Sequence, residues 1–310
     1  MLKRTDKVFV AGHRGLVGSA IVRQLQAQGF SNIVTRTRQE LDLENQAAVD
    51  TFLATEKPDW IVMAAAKVGG IGANSTYPAD FIGINLVIEA NLIWGAHKAG
   101  VPNFCFLGSS CIYPRETPQP IPETALLTGK PEPTNAPYAV AKIAGLVMCQ
   151  AIRQQYGSNY FTCMPPNIYG PGDNYNLETS HVLPALIRKF HEAKENGHAP
   201  VTCWGTGSPK REFLYSDDLA DAIVYLMGKN NVPDMVNIGI GRSVTIKELA
   251  ETVQRVIGHQ GEIVWDTSKP DGFPEKTNDV SLLHSLGWKE KTSLEQGIAQ
   301  AYSAYLSEFD

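Results

Sequence analysis

Several features that mark membrane, secreted and nucleic-acid-binding proteins are missing from this 310-residue sequence. No apolar run approaches the roughly 18 residues that cross a bilayer, and the first residues lack the pattern of a signal peptide. The 27 basic residues are outnumbered by 32 acidic ones, and the net charge of −5 argues against a surface for nucleic acid or anionic lipid. We therefore expect a cytoplasmic protein that binds neither nucleic acid nor membranes.

Cysteine is also scarce, and its five residues stand at positions 105, 111, 149, 163 and 203. Their odd number and irregular spacing favour a reduced chain without disulfides or a metal site. Hydrophobic residues make up 43% of the chain and charged residues 19%, which is typical of a globular protein. Because one core rarely grows beyond roughly 250–300 residues, we expect two parts with a cleft between them.

Strand-like and helix-like segments alternate through the first half of the chain. Short β-branched and aromatic runs predict strands, and the longer amphipathic runs between them predict helices. The strands are expected at residues 8–11, 32–36, 60–66, 103–109 and 160–165, and the helices at 16–28, 43–56, 78–99 and 138–156. This alternation is typical of α/β proteins and predicts a Rossmann-like, doubly wound parallel sheet with helices on both faces.

The alternation stops after Pro165. A helix is expected at residues 182–195, and a helix at 211–227 and a strand at 235–239 could rejoin the sheet. We therefore predict a Rossmann-like domain of residues 1–165 plus about 211–239, and a smaller interwoven α+β lobe of residues 166–210 plus about 240–310. The first part is expected to bind a cofactor and the second to bind the substrate.

Three glycines with G-x-x-G-x-x-G spacing lie between the first predicted strand and the first predicted helix. Small residues at this place let backbone N–H groups approach a pyrophosphate at the start of a helix. A tight turn without a ligand is the alternative, but the strand before and the helix after favour a dinucleotide site. The predicted loop consists of Gly12, His13, Arg14, Gly15, Leu16, Val17 and Gly18.

The end of the second predicted strand indicates which dinucleotide is bound. An NAD site usually has an acidic residue there, for the ribose 2′-hydroxyl, but this sequence has Arg36 and Arg38, with Arg14 in the glycine loop. Clustered guanidinium groups suit a 2′-phosphate, which favours NADP(H), although solvated surface arginines are the alternative. Asp42 and Leu43 follow, and Asp42 is either an adenine contact or a helix N-cap.

A tyrosine and a lysine four residues apart share one face of the predicted helix 138–156. A nearby ammonium group favours the phenolate, so Lys142 is expected to lower the pKa of Tyr138. Ser109 supplies a hydroxyl at the end of the fourth strand, where doubly wound sheets bind ligands. The alternative is a buried tyrosine beside a lysine whose stem packs on the surface.

Four longer motifs carry a resemblance to a known family: Ala64-Ala-Ala-Lys-Val-Gly-Gly70, Gly108-Ser-Ser-Cys-Ile-Tyr-Pro114, Glu132-Pro-Thr-Asn-Ala-Pro-Tyr138 and Ser208-Pro-Lys-Arg-Glu-Phe213. With them the chain resembles the extended short-chain dehydrogenase/reductase family over essentially its whole length, and within it the enzymes that epimerise and reduce GDP-4-keto-6-deoxysugars. The resemblance implies NADPH-dependent conversion of GDP-4-keto-6-deoxy-D-mannose to GDP-L-fucose. A related enzyme that makes another deoxyhexose, or a non-enzymatic NADP-binding regulator, is the alternative.

The resemblance also implies two groups for inverting C3 and C5 of the sugar, which the C4 ketone makes acidic. Cys111 lies two residues beyond Ser109, and thiols and imidazoles both exchange protons near neutral pH. By resemblance its partner is His181. A small buried hydrophobe for Cys111 and a loop or capping histidine for His181 are the alternatives.

Further contacts are expected from the resemblance alone. For the cofactor they are Leu107, Gly108, Ser109, Ser110, Lys142, Pro165, Pro166, Asn167, Ile168 and His181. For the GDP-sugar they are Lys189, Trp204, Arg211, Asp271 and Lys276. The sequence departs from the family at Pro166, where a threonine is usual and an N–H donor is lost, and at Lys189, where arginine is common. Core packing for Trp204, an interlobe salt bridge for Arg211 and a turn role for Asp271 are the alternatives.

The predicted helices 78–99 and 138–156 are apolar on nearly every face. A helix that flanks a sheet needs only one apolar stripe, so a second burial partner is expected. Val140, Ile143, Val147 and Ala151 form a set distinct from the face of Tyr138 and Lys142. We therefore predict a homodimer through a four-helix bundle, with coverage by the chain's own loop 114–137 as the alternative.

Overall fold

The computed structural model describes residues 1–269 and 271–309. Its strands are β1 Val8–Ala11, β2 Ile33–Val34, β3 Trp60–Met63, β4 Asn103–Leu107, β5 Asn159–Met164, β6 Asn167–Tyr169, β7 Val201–Trp204, β8 Lys210–Arg211, β9 Phe213–Tyr215, β10 Met235–Asn237, β11 Val244–Thr245, β12 Ile263–Asp266 and β13 Glu275–Lys276. Its α-helices are α1 Leu16–Ala27, α2 Gln46–Glu56, α3 Ile71–Thr76, α4 Pro78–Glu89, α5 Gly95–Lys98, α6 Ala136–Tyr156, α7 Val182–Glu195, α8 Ser216–Met227, α9 Ile246–Ile257, α10 Ser281–Ser285 and α11 Leu294–Phe309. A π-helical segment, Ala90–Trp94, joins α4 to α5, and single 3₁₀ turns lie at Ser110–Ile112, Glu123–Ala125 and Pro133–Asn135.

Six of the strands form one parallel sheet in the order β2-β1-β3-β4-β5-β10. The chain runs outward in both directions from β1, so the strand order reverses between β1 and β3. A cleft opens at such a reversal, beyond the carboxyl ends of the strands, and it is the usual ligand site of this architecture. The prediction of a Rossmann-like α/β fold is confirmed.

Alternate residues of each central strand enter two different apolar layers, because successive side chains of a strand point to opposite faces. In β1, Val8 and Val10 pack with α1 and α8, whereas Phe9 and Ala11 pack with α2, α4 and α6. The sheet is therefore covered on both faces, as the continuous apolar runs of its strands require. The helical segment Pro78–Lys98 is long and apolar enough to cross a membrane by length and composition alone. In this protein, 44% of its apolar 18-residue stretch is buried inside the fold.

A third apolar cluster lies outside the sheet. It joins α7, α9 and α11 with β7 and β9, through side chains such as Leu186, Phe190 and Val253. Small sheets of β11-β8-β13 and β12-β7 border it. Strand β10 returns from this part of the chain to pair with β5, which agrees with the expected interweaving at residues 235–239.

Several strands are shorter than predicted, and two helices begin later than predicted for a clear physical reason. Helix α2 begins at Gln46 rather than residue 43, because the Asn45 side chain accepts a hydrogen bond from the backbone N–H of Ala48 at 3.1 Å and caps the helix. Asp42 is therefore not the N-cap, and its Oδ1 accepts the N–H of Glu44 instead. The predicted helix 211–227 begins only at Ser216, since Phe213–Tyr215 pairs with β6 as a strand.

Candidate active site

The glycine loop after β1 has the backbone shape that its spacing predicted. Gly12 has φ +85°, and a Cβ atom there would lie 2.7 Å from the backbone nitrogen of Ala65. A Cβ on Gly18 would overlap the carbonyl oxygen of Gly12. Side chains are thus excluded from both positions, because the loop packs closely against the turn after β3 and against the start of α1.

A cavity of about 510 Å³ lies against this loop. It is lined by Gly12, His13, Arg14, Gly15, Arg36, Arg38, Asp42 and Leu43 of the predicted cofactor set, and by Glu44, Ala65, Lys67 and Ile88 among others. Its charged rim and apolar wall suit a phosphorylated nucleoside. Leu16, Val17 and Gly18 continue from the loop into α1.

The arginines on the rim of this cavity already have acidic partners. Arg36 lies 2.5 Å from Glu56, and its guanidinium also stacks over the Phe52 ring. Arg38 lies 2.5 Å from Glu44 and is largely exposed. The end of β2 has no acidic residue, but Glu44 and Glu56, which follow later in the chain, fold back to these two arginines.

The predicted serine, tyrosine and lysine meet where β4 ends. The Lys142 ammonium donates to the carbonyl of Leu107 at 3.0 Å and lies 6.0 Å from the centre of the Tyr138 ring. Ser109 is near enough for its hydroxyl to hydrogen-bond the phenol, and Phe81 contacts the Tyr138 ring edge to face. Gly108 lies in the turn between the strand and this hydroxyl, and its N–H donates to Cys163 of β5.

Lys142 does not lower the pKa of Tyr138 in this structure, contrary to the expectation from the sequence. Burial raises the pKa of Tyr138 well above its ordinary value, the charges of Cys111 and Glu89 raise it further, and only the Ser109 hydroxyl opposes them. The Lys142 ammonium is instead paired with the Glu89 carboxylate, with Nζ 3.1 Å from Oε1. Glu89 was not among the predicted site residues, because no spacing relates it to Lys142.

Cys111 follows Ser109 in a 3₁₀ turn, and the Ser109 hydroxyl accepts its backbone N–H at 3.2 Å. The Lys276 ammonium lies 3.3 Å from the Cys111 sulfur. Burial raises the pKa of the Cys111 thiol, but Lys276, Ser109 and Arg211 together hold it below its ordinary value. By contrast, burial raises the pKa of the thiols of Cys105, Cys149 and Cys203.

His181 lies at the N-cap position of α7 but makes no capping hydrogen bond through its side chain. Much of the residue is accessible to solvent, yet the protein around it still lowers the pKa of the imidazole by desolvation. Thr179, two residues before His181, accepts the N–H of Gly70 through its carbonyl, which places this loop beside the turn after β3. No hydrogen bond links His181 to Cys111 within the described residues.

Arg211 and Lys276 lie on neighbouring strands, β8 and β13, whose parallel register pairs the two residues directly. Their positive charges both act on Cys111, and Glu132 also acts on Arg211. Predicted substrate residues and predicted catalytic residues are thus brought to one place, although 165 positions separate Cys111 from Lys276.

The other predicted substrate residues lie around the end of β7. Trp204 is 65% exposed, with the ammonium groups of Lys189 and Lys269 at 6.0 Å and 5.4 Å from its ring. Asp271 accepts the backbone N–H and the hydroxyl of Thr206 in the next turn. The core-packing alternative for Trp204 is excluded by its exposure. Lys269 was missed by sequence analysis, because nothing in its spacing relates it to Trp204.

The turn after β5 touches the active-site loop through its backbone. The carbonyl of Pro165 accepts the N–H of Ser110 at 3.0 Å, and the Asn167 side chain donates to the carbonyl of Glu212 at 3.0 Å. Ile168 packs against the apolar layer that contains Val8 and Val10. Glu212 itself, another residue missed by sequence analysis, is fully buried and accepts the N–H groups of Ile240, Gly241 and Asn278.

Metal ligands are not grouped in the described part of the chain: it contains no cluster of three or more His, Cys, Asp or Glu side chains placed to hold an ion. The site combines a cavity of nucleotide size, a phenol near a buried ammonium, and a thiol beside two cations.

The family model described as "NAD dependent epimerase/dehydratase family" matches residues 8–239. The chain is 60% identical over 306 residues to "Putative GDP-L-fucose synthase 2" of Arabidopsis thaliana, covering 99% of this chain and 93% of that protein. It is 50% identical over 314 residues to "GDP-L-fucose synthase" of Escherichia coli (strain K12), covering 98% of each. A solved structure of a GDP-L-fucose synthetase from Naegleria fowleri bound to NADP is 27% identical, with a TM-score of 0.92 and coverage of 100% of this chain and 95% of that one.

Proposed function

The chain belongs to the NAD dependent epimerase/dehydratase family, and from this membership we propose that it converts GDP-4-keto-6-deoxy-D-mannose into GDP-L-fucose. The conversion has two steps: inversion of C3 and C5 of the sugar, and reduction of the C4 ketone with NADPH. One observation carries the proposal. An activated thiol suited to the first step and a serine, tyrosine and lysine suited to the second lie around the same turn, with Cys111 only two residues after Ser109.

NADP(H) is the proposed cofactor, and the residues present fit it. The glycine loop leads directly into the start of α1, where backbone N–H groups suit a pyrophosphate, and the adjoining cavity of about 510 Å³ has the size of a nucleoside site. Arg14, Arg36 and Arg38 would hold the 2′-phosphate, Lys142 the nicotinamide ribose, and the turn of Pro165 to Ile168 the amide end. When bound, NADPH supplies the hydride that adds to C4.

In the reduction, the proposed roles of the protein residues are to orient the ketone and to deliver a proton. Ser109 donates a hydrogen bond to the C4 oxygen, and Tyr138 gives its proton to that oxygen. The raised pKa of Tyr138 keeps the phenol protonated in the free protein, which suits a proton donor. Lys142 stabilises the phenolate that remains after the transfer.

In the epimerisation, Cys111 is the proposed base and His181 the proposed acid. The lowered pKa of Cys111 gives more thiolate near neutral pH than an ordinary cysteine has. The lowered pKa of His181 makes its protonated form the stronger acid. Ser109 stabilises the enolate oxygen on C4 while the carbon configuration changes.

The nucleotide end of the substrate is assigned to the second lobe. Arg211 and Lys276 supply two adjacent positive charges for the diphosphate, and the exposed face of Trp204 suits stacking on a purine base. Lys189 and Asp271 flank this tryptophan. We propose the domain division given above, with residues 166–210 and about 240–310 as the substrate lobe.

We also propose a cytoplasmic homodimer. Val140 and Val147 are 45% and 41% exposed on α6, and Val87 and Trp94 are each 42% exposed on the neighbouring helix. The loop 114–137 therefore leaves these side chains uncovered, which removes the main alternative to a second chain. Pairing of these helices about a two-fold axis would bury them.

The decisive test is incubation of the purified protein with GDP-4-keto-6-deoxy-D-mannose and NADPH, followed by chromatography and NMR of the product. Equimolar oxidation of NADPH and formation of GDP-L-fucose support the proposal. Formation of the unepimerised C4 alcohol as the sole product, or of another GDP-deoxyhexose, would reject it. A matched reaction with Cys111→Ser and Tyr138→Phe separates the two steps.

A further inference from the structure

Glu89 is a carboxylate inside the apolar contact between α4 and α6. Only 1% of the residue is exposed, and only 2% of Lys142, whose ammonium lies 3.1 Å from Glu89 Oε1. Among the described residues, no other N–H or O–H group hydrogen-bonds either carboxylate oxygen. A buried ion pair with so few additional hydrogen bonds contributes little to stability, because desolvation offsets most of the attraction. A purely structural role therefore explains this pair poorly.

Two local departures from regular helix packing make room for the carboxylate. A Cβ atom on Gly145 of α6 would lie 2.9 Å from Glu89 Oε2, so any larger residue there would push the carboxylate away. Directly after Glu89 the helix adopts π geometry over Ala90–Trp94, and π segments inside α-helices occur frequently at functional sites. The Glu89 side chain thus lies beside a glycine on α6 and at the start of a π-helical segment on its own helix.

We propose that Glu89 is a positioning residue for the ketone reduction, which holds the Lys142 ammonium in place beside Tyr138 and balances its charge. The inference rests on the proposed function, since it concerns the residues assigned to the reduction. The Lys142 ammonium is fixed by three groups: the Leu107 carbonyl at 3.0 Å, the Phe106 ring at 4.6 Å, and Glu89. Glu89 is the only one of these three that carries a full negative charge.

The charges around Glu89 determine whether its removal raises or lowers the pH at which Tyr138 ionises. Within the described residues it interacts with Lys142, Tyr138 and Cys149, all on α6, and Cys111 acts on Tyr138 from the turn after β4. With Glu89 ionised, the pair with Lys142 is neutral and the phenol keeps its proton. Without that charge, Glu89 no longer repels a Tyr138 phenolate, and the Lys142 ammonium, 6.0 Å from the centre of the Tyr138 ring, has no counter-ion. Tyr138 therefore ionises at a lower pH.

The test is the pH dependence of Glu89→Gln, a nearly isosteric variant. The basic limb of the kcat profile for NADPH-dependent reduction should move to lower pH by about one unit or more, the size of effect that one close charge commonly gives. Glu89→Asp keeps the charge and should show less than half of that shift. Cys149→Ala removes a buried neighbour without a change of charge and should leave the limb in place. Solvent deuterium exchange at C3 and C5 should keep its wild-type pH dependence in all three.

A second readout needs neither substrate nor cofactor. Tyrosinate absorbance is titrated in wild type, Glu89→Gln and Glu89→Asp, each against the same protein carrying Tyr138→Phe, so that the difference reports Tyr138. A lower pH of ionisation in Glu89→Gln supports the proposal, and an unchanged titration overturns it, as does an equal shift in Cys149→Ala. If Glu89→Gln does not fold, Glu89→Ala, which also removes the charge, is titrated in its place: a shift of Tyr138 ionisation to lower pH supports the proposal and an unchanged titration overturns it. Wild-type protein that fails to reduce the GDP-sugar would refute the proposed function, but this titration would still test Glu89.

Discussion

The ionisation of each reactive side chain is set by residues far away in the sequence. The charges of Cys111 and Glu89 raise the pKa of Tyr138, and the charge of Lys276 lowers the pKa of Cys111. Lys142, four residues after the tyrosine, forms an ion pair with Glu89 instead. The free protein therefore holds a protonated phenol and a readily ionised thiol in one cleft. A proton donor and a proton acceptor can coexist there without neutralising each other.

Tyr138→Phe should reduce the rate of ketone reduction by about 10²-fold or more, because a positioned proton donor is lost. The ring and its packing against Phe81 remain, so NADPH binding measured by fluorescence titration should be nearly unchanged. Incorporation of solvent deuterium at C3 and C5 should persist. Cys111→Ser is the counterpart, expected to lose exchange while it retains hydride transfer to the unepimerised ketone. Loss of exchange in Tyr138→Phe would contradict this division of labour.

Lys276→Met should make Cys111 less reactive. The pKa of Cys111 is held down by the Lys276 ammonium, so removal of this charge raises the pKa and lowers the thiolate fraction at neutral pH. The second-order rate of alkylation by iodoacetamide, followed by mass spectrometry at Cys111 across pH, should show a midpoint at higher pH than in wild type. Lys269→Met, near Trp204 rather than Cys111, serves as the control and should leave the midpoint unchanged. An identical midpoint in Lys276→Met would show that other groups set this pKa.

At the scale of elements, we expect the segment from β2 to α2 to determine which dinucleotide is preferred. To bind a 2′-phosphate, Arg36 must leave Glu56 and Arg38 must leave Glu44. The loss of these ion pairs offsets part of the attraction between the arginines and the phosphate. We still expect kcat/KM for NADPH to exceed that for NADH at least tenfold, which corresponds to about 1.4 kcal/mol. Arg38→Ala should reduce this ratio, and Lys57→Ala, at the far end of α2, should not. Equal efficiency with both cofactors in wild type would reject the NADP assignment.

Glu212 joins three segments near the site and should give the fold a pH dependence. Burial raises its pKa from 4.5 to about 7, partly offset by the N–H groups of Asn278, Gly241 and Ile240. A carboxyl whose pKa is raised in the folded state loses its stabilising contribution as the pH rises, here between 4.5 and about 7. Glu212→Gln should remove up to about 3 kcal/mol of that pH dependence. Urea unfolding on both sides of the window measures it, with the exposed Glu262→Gln as the control. A pH slope equal to that of wild type would contradict the assignment.

Sequence patterns predict elements well when the signal is local. The apolar strands, the glycine loop and helix α7, whose bounds match the prediction, all depend on residues within one element. The start of α2 was misplaced because two polar residues, Asp42 and Asn45, compete for the cap and only the geometry decides. The Lys276 contact with Cys111 and the pairing of Glu89 with Lys142 depend on how strands and helices from different parts of the chain are placed. No periodicity encodes such contacts.

At the scale of the whole molecule, the uncovered faces of α4 and α6 should control assembly. Light scattering at micromolar concentration should give the mass of two chains, because exposed apolar helix faces of this kind are normally buried in a partner. Val147→Glu places a charge in the proposed interface and should give monomers or insoluble protein. Val264→Glu makes the same substitution at a residue 39% exposed on β12 and should remain dimeric. A single-chain mass for wild type would refute the dimer.

The return of β10 to the sheet also has a consequence for synthesis on the ribosome. When residues 1–165 have emerged, five of the six sheet strands are present, but the free edge of β5 still lacks β10 and the apolar side of α1 still lacks α8. Helix α8 and strand β10 lie within residues 216–237, so they are translated only after α7 and the loops around it. The nascent chain therefore carries an open strand edge and an uncovered apolar layer through this delay, and binding by chaperones should be strongest in this interval.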